Sequence, residues 1–273
     1  MKICIIGHGY WGNILHKNIM ELGHNDIQLI DIKLNNTHLL DDRYDIYFVT
    51  TPFSTHYDIL LKLSEYKNKK IWCEKPLVET TEKLTEIYKL MEINNNKLFV
   101  DWVYTFNNCV RRLKEILSTK KVKQIILNRT NDGPKRYDCN SVYDLSSHDI
   151  SILFYLYPEL NLNFTFNEHS NLQNEKFGSN LSWCYEDNTQ IILNSSWQHT
   201  SKNRISIFVT QDDEVILFDD IKKQIFYNES FENFSEKTSP IHSALNFFFS
   251  SNEFNENKNL TSKITKILQK SWT

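Results

Sequence analysis

Along the first hundred residues, short apolar runs alternate with longer stretches whose apolar positions recur at helical spacing. The runs Lys2–Ile6, Ile27–Ile30, Ile46–Thr50, Lys70–Cys73 and Leu98–Val100 are mainly apolar and only a few residues long. That pattern predicts strands buried on both faces. Between them, Trp11–Leu22, Thr55–Tyr66 and Thr80–Ile93 have the period of amphipathic helices, with Thr80 as an N-cap. Strand–helix alternation of this kind predicts a parallel sheet with right-handed crossovers.

The pattern changes after about Trp102. A helix is predicted at Phe106–Leu117, a strand at Val122–Arg129 and a helix at Val142–Tyr155. The strands Ser179–Tyr185, Thr189–Trp197, Arg204–Thr210, Glu214–Phe218 and Gln224–Tyr227 follow. Turns such as Glu186-Asp187-Asn188 and Gln211-Asp212-Asp213 punctuate them, which predicts an open, mainly antiparallel sheet. Helices are predicted at Ile241–Phe249 and Leu260–Gln269, with the Asn-rich stretch Asn252–Asn259 as an exposed loop. The expected organisation is an α/β domain over 1–103 and an α+β domain over 104–273, the C-terminal helix being a candidate to pack back on the first.

A chain of 273 residues is comfortable for two such cores. With 40% hydrophobic and 24% charged residues and a net charge of −3, it has no basic field to gather phosphate backbones, which argues against a nucleic-acid partner. Cysteines at 4, 73, 109, 139 and 184 form no C-x-x-C pair. Their arrangement speaks against a disulfide framework or structural zinc and for a reducing, cytoplasmic setting. No apolar run suits a signal peptide or a membrane span.

Candidate chemistry begins at Gly7-His8-Gly9-Tyr10-Trp11-Gly12, a G-x-G-x-x-G between a predicted strand and a predicted helix. Gly7 permits the tight turn, Gly9 lets backbone approach a pyrophosphate, and Gly12 lets helix and strand pack closely. The helix N-terminus then offers free N–H groups to the phosphates. Half of the chain's six glycines lie in this loop. The expectation is a doubly wound Rossmann domain. Asp31 ends the second strand, placed to accept hydrogen bonds from an adenine-ribose diol, which favours NAD; nearby Lys33 keeps NADP open.

Three further segments stand in register with the loop: Thr51-Pro52-Phe53-Ser54-Thr55-His56, Glu74-Lys75-Pro76-Leu77, and Asp144-Leu145-Ser146-Ser147-His148-Asp149. Together they resemble the Gfo/Idh/MocA family of oxidoreductases, over Met1 to about Tyr157 and more loosely beyond. Gly-Tyr-Trp-Gly and Asp-x-x-x-His-Asp-Ile look most like members from surface-polysaccharide and sugar-nucleotide pathways. The resemblance implies a Rossmann domain followed by an open sheet, with Lys75 and His148 facing a nicotinamide and Asp144 beside them. It places Tyr10, Trp11, Thr51, Pro52 and Glu74 with the glycines on the cofactor side. It also implies a homo-oligomer through the second sheet, in a chain shorter than members usually are.

Read as chemistry, His148 can exchange a proton near neutral pH, and Asp144, four residues earlier on a helix, can orient it. Lys75, just past a strand's carboxyl end, can bind and polarise a reacting oxygen. His56 either holds the nicotinamide side of the cofactor or caps a helix. Lys135-Arg136-Tyr137 either hold the diphosphate of a nucleotide sugar or form an exposed basic turn. The expected reaction is metal-free hydride transfer between nicotinamide and a carbinol carbon of a sugar or nucleotide sugar. A non-catalytic sensor on the same fold and a redox-cycling hydrolase or lyase are the alternatives.

Overall fold

The computed structural model describes residues 1–133, 136–160, 165–170, 176–184, 189–235 and 238–270. Lys135 and the turn Glu186-Asp187-Asn188 lie outside the described residues. The chain divides into two compact units, Met1–Val103 with Thr238–Gln269, and Tyr104–Lys237 with Lys270–Thr273.

In the first unit, β1 (Ile3–Ile6), α1 (Tyr10–Glu21), β2 (Ile27–Ile30), β3 (Ile46–Val49), α2 (His56–Ser64), β4 (Lys70–Cys73), α3 (Thr81–Ile93) and β5 (Lys97–Val100) follow in order. The strands form an all-parallel sheet of order β2-β1-β3-β4-β5. Every residue of β1 and β3 is buried, as strands covered on both faces must be. Thr80 caps α3, its Oγ1 accepting from the Lys83 N–H. The strand order reverses between β1 and β3, and the carboxyl ends of those strands flank the crevice where open α/β sheets bind ligands.

The second unit begins with α4 (Asn108–Leu117), β6 (Val122–Asp132) and α5 (Ser147–Leu156). Then come β7 (Thr165–Ser170), β8 (Lys176–Cys184), β9 (Gln190–Ser196), β10 (Gln198–Thr210), β11 (Val215–Asp219), β12 (Gln224–Tyr227) and β13 (Ser230–Asn233). Their sheet has the order β13-β12-β11-β10-β6-β9-β8-β7. Among the described residues only β6 and β9 pair in parallel in this sheet. The alternating burial of β6, β9 and β10 marks one covered face, bearing Ile125, Leu127, Leu193 and Phe208.

The last helices, α6 (Pro240–Ser250) and α7 (Asn255–Gln269), belong to the first unit. The stretch 252–259 is therefore a loop only at its start: α7 begins three residues into it. Asn257 shows why an Asn-rich run winds into a helix here. Its Oδ1 accepts from Val100 N–H at 2.9 Å, and its Nδ2 donates to Val100 O at 2.8 Å. One side chain so supplies the rung that β5, an edge strand, would otherwise leave open. Trp102 Nε1 donates to Thr261 Oγ1 at 2.8 Å a turn further along. Of the Phe247-Phe248-Phe249 cluster, Phe248 is wholly buried among Phe48, Trp72, Phe99 and Phe254.

Candidate functional site

After β1 the chain turns at Gly7, whose φ of +92° lies in the left-handed region. A Cβ there would stand 2.9 Å from Thr51 N and 2.8 Å from Thr51 Cγ2. At Gly12 a Cβ would fall 2.1 Å from Gly7 O, so α1 and the loop touch backbone to backbone. Around Gly9, by contrast, an added Cβ meets nothing within 4 Å. Gly9 is the N-cap of α1 and supplies no side-chain bond, which leaves the helix N-terminus open to an anion. Thr50 Oγ1 donates to Gly7 O at 2.5 Å and ties the end of β3 to the loop.

Asp31 closes the cradle from β2. Its Oδ2 accepts the His8 N–H at 2.6 Å and its Oδ1 the Lys33 N–H at 2.8 Å. Those backbone donors hold the carboxyl below the usual carboxylate range, so it is ionised at neutral pH. Asn36 braces the same strand end, accepting from Asp31 N–H and donating to Leu29 O. An open helix N-terminus, two glycines that a Cβ would spoil and an ionised strand-end carboxylate fit the pyrophosphate and diol of NAD. Tyr10 is exposed and its ring meets Trp11 edge-on at 5.6 Å.

Beyond β3, Pro52 precedes a short 3-10 turn, Phe53–Thr55, that leads into α2. His56 is buried, with Nε2 3.0 Å from Thr51 O and Nδ1 2.9 Å from Pro76 O. It therefore links the segment after β3 to the segment after β4, where the Lys75-Pro76 bond is cis. Glu74 and Lys75 follow β4 directly, and the Glu74 carboxylate is buried.

Asp101 is a residue the sequence reading missed. It follows β5, is 3% exposed, and its Oδ1 has no hydrogen-bond partner among the described residues. Burial pushes its carboxyl well above the ordinary range, as does the nearby Glu74 carboxylate, with Lys75 opposing. The available signal was a lone acidic residue closing an apolar strand next to the one that delivers Glu74-Lys75.

In the second unit, Asp144 lies in a π-helical turn, Val142–Ser146, that runs into α5; the regular α-helix predicted there starts only at Ser147. Such π-turns occur mostly as single wide turns within α-helices, frequently at functional sites. Asp144 Oδ1 accepts from Arg136 Nε at 2.9 Å, and Oδ2 from Trp197 Nε1 at 3.0 Å. Arg136 thus has a carboxylate partner before any phosphate arrives. Tyr137 is fully exposed. His148, on the first turn of α5, meets the Tyr104 ring edge-on at 5.2 Å. The structure accordingly gathers Gly7, Gly9, Gly12, Asp31, Thr51, Pro52, His56, Glu74 and Lys75 at the strand ends of one unit. It places Arg136, Asp144 and His148 together in the other. Among the described residues no three His, Cys, Asp or Glu side chains group to hold a metal. No helix among them is long and apolar enough to cross a membrane.

Sheet order, glycine cradle and strand-end carboxylate define a dinucleotide-binding Rossmann protein with a second, mixed-sheet unit. Residues 33–102 match the family model described as "Oxidoreductase family, NAD-binding Rossmann fold", GFO_IDH_MocA. Over those residues the chain is similar to the Gfo/Idh/MocA oxidoreductases. The match starts after the glycine loop, so loop and family model are separate observations. No curated protein matches the sequence.

Solved structures share the fold at low identity. UDP-N-acetylglucosamine 3-dehydrogenase GnnA from Acidithiobacillus ferrooxidans aligns with a TM-score of 0.83 at 13% identity, over 99% of this chain and 97% of its own. A dehydrogenase (MviM) from Clostridium difficile gives 0.81 at 14% identity, over 100% and 98%. GenD2 from gentamicin A biosynthesis, solved in complex with NAD, gives 0.77 at 11% identity, over 97% and 92%. The first two are covered almost end to end, so against them the C-terminal sheet is not shortened.

Proposed function

We propose that the chain is an NAD(P)-dependent dehydrogenase or reductase acting on a carbinol or keto carbon of a sugar or nucleotide sugar. The observation that carries this reading is the junction of the β1 cradle with the Lys75 segment. His56 couples the backbone after β3 to the backbone after β4, so a ligand gripped at Gly7–Gly12 runs along the strand ends toward Lys75. Bound nicotinamide supplies the hydride chemistry. Lys75 binds and polarises the reacting oxygen, and its ammonium favours the charge that develops there. His148 gives or takes the hydroxyl proton, and Asp144 keeps the start of α5 in place through Arg136 and Trp197. The structures of GnnA and GenD2, a UDP-sugar dehydrogenase and an NAD complex by their own descriptions, support the substrate class and the cofactor.

A thermal-shift screen with NAD, NADP and UDP-, dTDP- and GDP-sugars tests the reading, because ligands of the folded state raise its melting temperature. On the sugar so found, Lys75→Met should lower turnover by about two to four orders of magnitude while NADH affinity stays within a few-fold. Full turnover in that variant removes Lys75 from the mechanism. NADH binding with no turnover on any sugar favours the sensor instead.

The same reading includes a homo-oligomer through the second sheet. One row of side chains crosses its uncovered face in register: Ile192, Ile126, Ile207, Leu217, Phe226 and Phe231. These are only half-buried or exposed in the single chain, whereas Ile125, Ile191, Phe208, Ile216 and Ile225 on the other face are buried. Ile207→Lys should convert the oligomer to monomer in light scattering at unchanged helix and strand content. An unaltered mass moves the interface elsewhere.

A further inference from the structure

Beneath α5 lies a set of charges, buried at Arg129, Asp149 and Asp220 and partly exposed at Arg204 and Lys223, that the reading above does not use. Arg129 on β6 is 3% exposed and gives both Nε (2.9 Å) and Nη2 (2.7 Å) to Asp149 Oδ1. Its Nη1 donates to Tyr104 Oη at 2.8 Å, and its guanidinium covers the Tyr104 ring at 4.6 Å. Arg204 on β10 donates to the same hydroxyl at 3.1 Å. Tyr104 Oη donates in turn to Asp220 Oδ2 at 2.8 Å. Asp220 also accepts from Lys223 Nζ at 2.7 Å and from Asn107, the N-cap of α4.

Such a network is a costly way to fill a core. Apolar side chains of similar size often serve stability as well or better, so what buried ions add is a specified arrangement. Here the arrangement is over-determined at one ring. The Tyr104 hydroxyl has one donor and two acceptor positions, and all three are used. One ring face lies under a guanidinium. What remains is the edge that meets His148 at 5.2 Å and 65°. Arg129 simultaneously grips Asp149, the residue after His148. A single guanidinium so holds both the ring beside the imidazole and the helix turn that carries it.

We propose that Tyr104 is a positioning residue for His148, clamped by Arg129, Arg204 and Asp220 so that the imidazole keeps one orientation. The proposal rests on the reading of His148 as a site residue. Its test is independent of turnover. Diethyl pyrocarbonate modifies accessible histidines, and peptide mass spectrometry reads the rate at each of the nine in this chain. Tyr104→Phe keeps the ring and removes three hydrogen bonds, two of them to guanidinium groups. In the full-length protein it should speed modification of His148 by roughly tenfold, the scale of one lost charge-assisted bond. The other eight should stay within twofold. A His148 rate unchanged in a folded Tyr104→Phe protein overturns the proposal.

Should Tyr104→Phe not fold, Asp220→Asn, which weakens the acceptor of the Tyr104 hydroxyl, decides in the same way. Selective acceleration of His148 supports the clamp, and an unchanged rate or uniform acceleration of all nine overturns it. Selective acceleration in a protein that oxidises no sugar upholds the clamp and sinks the dehydrogenase reading. Lys75-dependent turnover with an unmoved His148 rate does the reverse.

Discussion

At the glycine loop of the first unit, atoms come together because side chains are missing; around Tyr104 in the second, they are held by charged groups drawn from four separate segments. Gly7 and Gly12 let backbone touch backbone, at positions where a Cβ would stand 2.9 Å and 2.1 Å from a main-chain atom. Arg129, Arg204, Asp149, Asp220 and Lys223 instead meet across a strand, a second strand, a helix and a turn. The first device needs a few residues near one another in sequence. The second needs the completed sheet. A cofactor cradle built by omission leaves room for the ligand, whereas a clamp built of ion pairs fills all its room and fixes what borders it.

The comparison breaks most readily at Arg129. Arg129→Met leaves Asp149 buried without its cation, and we expect a loss of about 3–5 kcal/mol in urea unfolding. Arg129→Met combined with Asp149→Leu should restore much of that. If the single variant is as stable as wild type, the network is not what organises this unit.

Next in size is the contrast within the loop. Gly12→Ala forces a Cβ into Gly7 O and should cost about 1–3 kcal/mol along with NADH binding. Gly9→Ala meets no protein atom within 4 Å, so it should leave stability nearly unchanged and weaken NADH alone. Equal melting temperatures for the two variants would remove the steric account of the cradle.

The smallest effect sharpens the comparison at Asp101, where the first unit buries a carboxyl beside Glu74. Its proton is held more tightly in the folded than in the unfolded chain, since burial and Glu74 raise it. Folding stability must then fall as pH rises from the unfolded value, about 4, through the folded one. Asp101→Asn cannot ionise and escapes that loss. Its melting temperature should exceed wild type by a few degrees at pH 8 and match it near pH 3. A variant less stable at pH 8 would mean that the carboxylate is paired instead.

Much of this was readable in advance, for reasons that differ along the chain. The five parallel strands and their helices announced themselves because strands packed between helices are short and mainly apolar. The cradle was legible because its three glycines stand within six residues. Harder to see was the helix over Asn255–Asn259, where composition spoke for a loop and Asn257 instead completes the edge of β5. The π-turn that carries Asp144 was equally hidden, since Asp144 and His148 at four-residue spacing read as an ordinary α-helix. Asp101 and Tyr104 passed unnoticed because each is a common residue in an unremarkable place.

What the order of amino acids settled was local: where strands and helices run, where the glycine turn lies, and which lysine follows β4. Those features depend on neighbours a few positions apart, whose spacing is visible in one dimension. Only the folded sheets decided that Arg129 meets Asp149 twenty residues on, that Asp220 takes the Tyr104 hydroxyl from more than a hundred residues away, and that Asp101 sits beside Glu74. Buried charge and hydrogen bonding act through space in a medium that screens them poorly. Their partners are therefore chosen by strand order and register, which no short stretch of sequence contains.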